Sequence, residues 1–201
     1  MSQMQEMKIY NADPAAIGVF GLAVITFVAS SQKLGLTSGT ALIIPWAIFL
    51  GAGLQAYACY EEVKRGNIFG AYAFGGFAGF WLAVAMSWMI LGGVFGPDIK
   101  AACDPRQLGF AFVAFIPFTL FLTVGTLYIN KCFFFVLVLV DLLVIGLAMH
   151  SFGIAPAFSH GLAAWAELFT ALVGFYTSGA LYLNQFMGRQ VLSLGKPFLV
   201  K

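Results

Sequence analysis

The chain has 201 residues, 61% of them hydrophobic and 9% charged, with ten Lys and Arg against eight Asp and Glu for a net charge of +2. A soluble domain carries roughly a quarter charged residues, so this composition cannot clothe a water-facing surface. The bases are scattered singly between apolar runs and form no phosphate-tracking stripe, which removes nucleic acid from the expected partners.

Residues 1–10 are polar and carry Lys8 as their base, with no apolar core leading to a small-residue cleavage site, so a removable signal peptide is not expected. A membrane-spanning helix needs roughly 20 mostly apolar residues. Six runs qualify, at residues 14–32, 38–60, 69–95, 108–128, 132–150 and 161–184. The breaks between them hold the charges and the Gly and Pro, notably Lys33-Leu34-Gly35, Glu61 through Asn67, and Gly96-Pro97-Asp98 through Pro105-Arg106. The expected fold is an all-α integral membrane protein of six transmembrane helices, a single membrane domain over residues 1–201, with lipid as its surroundings. Short connections make neighbouring helices antiparallel. With the N-terminus in the cytoplasm, the inner segments collect Lys8, Lys64, Arg65, Lys131, Arg189, Lys196 and Lys201, leaving Lys33, Lys100 and Arg106 outside. The positive-inside rule therefore places both termini in the cytoplasm.

Small residues recur at helical spacing at Gly75, Gly79 and Ala83, at Ala52 and Ala56, and at Gly174 and Ser178. Such stripes let helix backbones approach, within a chain or between copies. Cys59, Cys103 and Cys132 are odd in number, far apart and without CxxC spacing, and read as free thiols.

No HExxH, GxSxG, Walker sequence or Cys/His cluster occurs, so neither an enzyme, a metal nor a cofactor is expected. His150 and His160 fall at the ends of apolar runs, where they read as interfacial residues. Three polar groups stand at membrane depth. Asp141 lies midway along the fifth run, Glu167 two turns into the sixth, and Gln55 towards the inner end of the second. Intramembrane carboxylates are costly and mark pathways or proton relays, which makes Asp141 and Glu167 the candidates for proton coupling. No Lys or Arg stands in the middle of any run. A substrate must then be neutral, or a small monoanion held by dipoles such as a helix N-terminus. The first helix offers one at Asn11-Ala12-Asp13-Pro14, with Asn11 or Asp13 as its cap.

The block Glu62-Val63-Lys64-Arg65-Gly66-Asn67-Ile68-Phe69-Gly70, continued by Ala73-Phe74 and Phe80-Trp81, resembles the E-x-x-x-G-N-x-F-G-x-x-A-F…F-W motif of the acetate transporter family, the succinate/acetate permeases of bacteria and their fungal relatives. Glu62, Gly66, Asn67 and Phe69 carry the core of that match. Gln55, Phe118 through Phe121, Gly125 through Leu127, Gly188-Arg189 and Leu194-Gly195 extend the resemblance over nearly the whole chain. The family's N-P-A-P-x-G signature is here Asn11-Ala12-Asp13-Pro14-Ala15-Ala16, keeping Asn11 and Pro14.

The resemblance implies a homo-hexamer in the inner (plasma) membrane, each protomer enclosing its own path for a small carboxylate. Asn11, Gln55, Trp81 and Thr119 are then candidates to bind substrate or line the path. The family's mid-path constriction of phenylalanine, leucine and tyrosine falls on Phe20, Val140 and Phe77. An all-apolar ring of that kind gates by dewetting and suits acetate or its neutral acid. Asp141 directly follows the constriction position, though adjacent helical positions point roughly 100° apart. The rival expectations are a channel for a small neutral solute such as urea or ammonia, and a membrane assembly that transports nothing.

Overall fold

The structure, a computed structural model, describes residues 12–200. Among these residues the ordered elements are all helical. They are α1 (Pro14–Lys33), α2 (Ile44–Trp46) passing through a π-helical stretch (Ala47–Leu54) into α3 (Gln55–Lys64), α4 (Ile68–Leu91), the short α5 (Pro97–Ala101), α6 (Arg106–Thr126), α7 (Lys131–Ser151) and α8 (Pro156–Phe186). Four of them, α1, α4, α6 and α7, are long and apolar enough to cross a membrane. The second expected run is divided by its π winding, and helix begins only at Ile44. The sixth forms a helix of 31 residues whose apolarity is diluted by buried Ser159, Glu167, Thr170, Thr177 and Ser178.

Local chemistry sets the boundaries. Asp13 caps α1, its Oδ1 accepting from Ala15 N at 3.0 Å, and Pro14 fills the first turn, where no N–H is needed. Asn11, the other expected cap, lies outside the described residues. Asn67 caps α4 and Asn130 caps α7, each through its side-chain oxygen. The third run stops at Leu91 rather than continuing to residue 95, because Gly93 takes a φ of 81° and turns the chain away.

The rods close into a ring. Helix α8 lies between α1 and α7, α6 packs on α7, and α1 packs on the π stretch and α3, which pack on α4. Between α4 and α6 aromatic rings close the gap: Tyr72 on Phe118 at 4.9 Å, Phe77 on Phe118 at 5.5 Å, and Phe80 on Phe115 at 4.8 Å between ring centres. Gly76 leaves room for the Phe118 ring, into which a Cβ would run. Outward faces carry apolar side chains such as Phe49, Phe110 and Phe121, each about 70% exposed, as lipid contact requires. The Gly174 and Ser178 stripe serves packing within the chain. Gly174 approaches Ala23, and the Ser178 hydroxyl donates to Ala16 O at 2.8 Å.

Helix α1 is pinned to α8 at both ends. At one end Lys33 Nζ meets Glu167 Oε2 at 2.8 Å, with the Glu167 side chain 2% exposed. His160 Nε2 bonds the Lys33 carbonyl oxygen at 2.8 Å, and the His150 ring lies 5.2 Å from that of His160. At the other end Asp13 N donates to Gln185 Oε1 at 2.9 Å, and Arg65 reaches Asp13 Oδ1 at 3.2 Å.

Removing one partner of a buried ion pair strands the other charge, at a cost of about 3–5 kcal/mol. Lys33→Met is therefore expected to lower the thermal unfolding temperature in detergent sharply, and Lys33→Met combined with Glu167→Leu to recover most of the loss. Gly146 tests close packing. A Cβ there would stand 2.8 Å from Ala163 N and 3.0 Å from Ser159 O, backbone atoms of α8 that cannot swing aside. Gly146→Ala should cost about 1–3 kcal/mol as overpacking. Gly79→Ala, where nothing lies within 4 Å, should be neutral or stabilising in the same measurement.

Candidate functional site

The turn from α3 to α4 shows what the Glu62-to-Gly70 block builds. Gly66, with a φ of 68°, ends α3: its N–H donates to Val63 O, and Asn67 N donates to Glu62 O, the paired bonds of a left-handed helix stop. Asn67 then starts α4. Its Oδ1 accepts from Gly70 N at 3.4 Å, while its Nδ2 donates to Glu62 Oε2 at 2.9 Å. Gly70 is required for a plain steric reason, since a Cβ there would come 2.6 Å from the Glu62 carboxyl carbon. The turn thus folds Glu62 inward, leaving it 1% exposed.

Glu62 forms part of the wall of a cavity of about 290 Å³ enclosed by α1, α3, α4 and α7, with one contribution from α8. The mouth is polar, with Asp13, Glu62, Asn67 and Asn130, and three helices begin there, α1, α4 and α7. Their N-termini bring partial positive charge to the mouth. Inward the wall turns apolar through Val19, Leu22, Ala73, Phe74, Val136 and Leu137 and reaches Phe77, with Phe69 and Phe133 along the side. Gln55 is the polar group of the interior wall. It is fully buried, its Nε2 donates to Gly51 O at 2.7 Å, and its Oε1 has no partner. Among the described residues no Lys or Arg lines the cavity. Glu62 stands beyond Tyr60 at the end of α3, and burial pushes its carboxyl above the ordinary range. The Asn67 hydrogen bond opposes that shift, Asp13 adds to it and Arg65 subtracts.

The structure brings some expected residues together and separates others. Gln55, Glu62, Asn67, Phe69 and Phe77 line the cavity, and Gly66 makes the turn that shapes it. Val140 is buried behind the wall in the same apolar cluster as Phe77, Leu22, Val136 and Val144. Phe20 is elsewhere: it is 38% exposed, 6.3 Å from Phe175, on an outer groove with Tyr57 and Tyr182. Phe20, Phe77 and Val140 therefore do not meet as one ring, and the α1 side chain beside Phe77 and Val140 is Leu22. Trp81 packs with Ile25, Ala29 and Ala52, its Nε1 unpartnered. The buried Thr119 hydroxyl donates to Ile116 O at 3.1 Å. Asp141 turns to α6, its Oδ2 accepting from the Thr123 hydroxyl at 2.7 Å while Oδ1 is unpartnered. None of Trp81, Thr119, Asp141 and Glu167 is on the cavity wall.

Sequence reasoning passed over Asn130 and Leu22. Asn130 stands just before an apolar run, which is an N-cap signal, whereas nothing marks Leu22 among its apolar neighbours. Among the described residues no three His, Cys, Asp or Glu side chains gather as a metal site, and all three thiols are free.

Comparison with known proteins places this architecture. The chain is 29% identical over 187 residues to the succinate-acetate/proton symporter SatP of Escherichia coli K12, covering 92% of this chain and 96% of that one. The solved structure of the bacterial acetate channel SatP superposes with a TM-score of 0.84 at 29% identity, covering 92% of this chain and all of that one. The ammonia transport outward protein 2 of Saccharomyces cerevisiae is 28% identical over 182 residues, 88% of this chain and 64% of the yeast protein. The profile of the GPR1/FUN34/yaaH family matches residues 2–193, and the chain belongs to that family.

Proposed function

We propose that this protein carries acetate, or a monocarboxylate of similar size, across a membrane through a path inside each protomer. The observation that carries the reading is the cavity itself. A polar mouth at three helix N-termini leads into an apolar interior that ends against Phe77, backed by Leu22 and Val140. Helix N-termini draw a small anion to the mouth, and an apolar plug passes only a solute that sheds its water easily. SatP, described as a succinate-acetate/proton symporter and as an acetate channel, lends the substrate class.

In this reading the chain is a single membrane domain of six spans, the rod through α2, the π stretch and α3 and the long α8 crossing alongside the four strongly apolar helices. Both termini lie in the cytoplasm, which puts the cavity mouth on the cytoplasmic side. The protein assembles as a homo-hexamer in the inner (plasma) membrane and is not an enzyme. Leu22 and Phe77 form the dry constriction, with Val140 packed behind them, while Phe20 serves the outer face of α1. Asp141 and Glu167 act as polar ties between helices, because each is held by a neighbouring helix and neither reaches the cavity. A second reading, a neutral solute such as ammonia, is favoured by one observation: among the described residues the wall holds two carboxylates and no cation.

Uptake of labelled acetate into proteoliposomes, with and without an inward proton gradient, tests the reading. Flux that the gradient drives marks a coupled carrier, flux indifferent to it a channel, and absence of acetate flux with ammonia flux present supports the neutral-solute reading. Asp141→Asn should retain uptake within about threefold of the wild type, since it exchanges one hydrogen bond to Thr123 for another of comparable strength. Phe77→Ala should raise uptake of butyrate relative to acetate, because it opens the narrow end of the cavity.

A further inference from the structure

Among the described residues the cavity wall carries one polar side chain in its interior, Gln55, and Glu62 at its mouth, and the two lie on one helix face. Gln55 and Glu62 are seven residues apart on α3, two turns and roughly 10 Å along the axis, and both line the wall. The orientation of the Gln55 amide is set by its own bond. One N–H of its amide is given to Gly51 O, and the atom left without any partner is the oxygen, a hydrogen-bond acceptor with nothing to accept. A buried orphan acceptor costs free energy that a donor on a bound solute recovers. A carboxylate has no donor, whereas an undissociated acid has one.

Electrostatics point the same way. Among the described residues the wall offers Asp13 and Glu62 and no cation. Asp13 is engaged by Arg65, but Glu62 is held by the neutral Asn67. Among the described residues the titratable groups acting on Glu62 are Asp13, at the start of α1, and Arg65, on its own turn. The α4 and α7 surfaces around the cavity contribute Asn67, Phe69, Gly70, Asn130 and Phe133, none of which titrates.

We propose that the cavity holds its solute with the proton on: Glu62 exchanges a proton with the incoming carboxylate, and Gln55 Oε1 then accepts the O–H of the neutral acid before it meets the apolar plug. The proposal rests on the monocarboxylate reading above and names the form of the substrate and the residues that select it. The exchange balances. The O–H bond of the Glu62 carboxylic acid breaks as an O–H bond forms on the solute, the solute loses its charge, and Glu62 becomes a carboxylate that takes its next proton from water at the mouth. Burial of Glu62, which favours its protonated form, suits it to that exchange.

The test is labelled acetate uptake by the full chain in proteoliposomes from mildly acidic to mildly alkaline pH, with acetamide or methyl acetate as competitor. Acetamide has N–H donors and methyl acetate has none. In the wild type, acetamide should compete and methyl acetate should not. Gln55→Leu should lose about three- to tenfold of uptake, the worth of one hydrogen bond, and should no longer be inhibited by acetamide. Gln55→Met gives the same comparison if the Leu variant does not purify as a folded species. Glu62→Gln should lose uptake at a lower pH than the wild type, following the undissociated acid in bulk. Equal competition by acetamide and methyl acetate, wild-type uptake in both Gln55 variants, or superimposable pH profiles for wild type and Glu62→Gln would overturn the proposal while leaving acetate transport standing. A wild type that moves no acetate overturns the monocarboxylate reading and this inference with it.

Discussion

The attachment of α1 to α8 holds the rest of the structure in place. A chain with few charges spends two of them, Lys33 and Glu167, on a contact at one end of these helices, and ties the other end through Asp13 and Gln185, where Arg65 also holds Asp13 to the end of α3. Between the ends, Gly174 and Ser178 let the backbones draw close. In a lipid environment, apolar burial gives little preference for one helix neighbour over another, because lipid tails are as apolar as the side chains. Polar ties and close small-residue packing therefore select the partner. With α1 fixed against α8 on one side and against the π stretch and α3 on the other, the inner face of α1 becomes one wall of the cavity.

The cavity follows from how a tight turn stores a carboxylate. Gly66 reverses the chain, Asn67 caps α4 with one end of its side chain and holds Glu62 with the other, and Gly70 leaves the space that Glu62 fills. Gly66, Asn67 and Gly70 thus each have a steric or hydrogen-bonding cause, and together they deliver an acid to the polar mouth of the cavity. Two turns away the Gln55 side chain bonds back to Gly51, inside the π-helical stretch. A π winding departs from the α period and so changes which residues after it face inward. Mouth, acid, orphan acceptor and aromatic end are consequently arranged along one passage.

Much of the candidate site was legible before the fold was known, and what was missed has a physical pattern. Glu62, Gly66, Asn67 and Phe69 stood out through their motif, and Gln55 through its polarity in an apolar run. Asp141 and Glu167 stood out for the same reason, yet both are held between helices away from the cavity. Polarity at depth identifies a residue that must find a partner, and a neighbouring helix satisfies that demand as well as a substrate does. Phe20 was placed by position in a motif, and the rotation of α1 turns it towards Phe175 while Leu22 faces inward.

Composition and hydropathy by themselves determined that this chain is helical and suited to lipid and where the helices run to within a few residues, and the resemblance of one block to a family motif marked the turn that carries the distinctive chemistry. Those properties depend on neighbours in sequence: apolar run length, capping residues and glycine at a tight stop. Only the tertiary structure decided that Lys33 belongs to Glu167, that Thr123 answers Asp141, that the π stretch interrupts the second rod, and that Gln55 and Glu62 share a wall with Phe77. Each of these depends on how far one helix is rotated and slid against another. That is set by the sum of many weak contacts across the bundle, and such a sum leaves no local mark in the sequence.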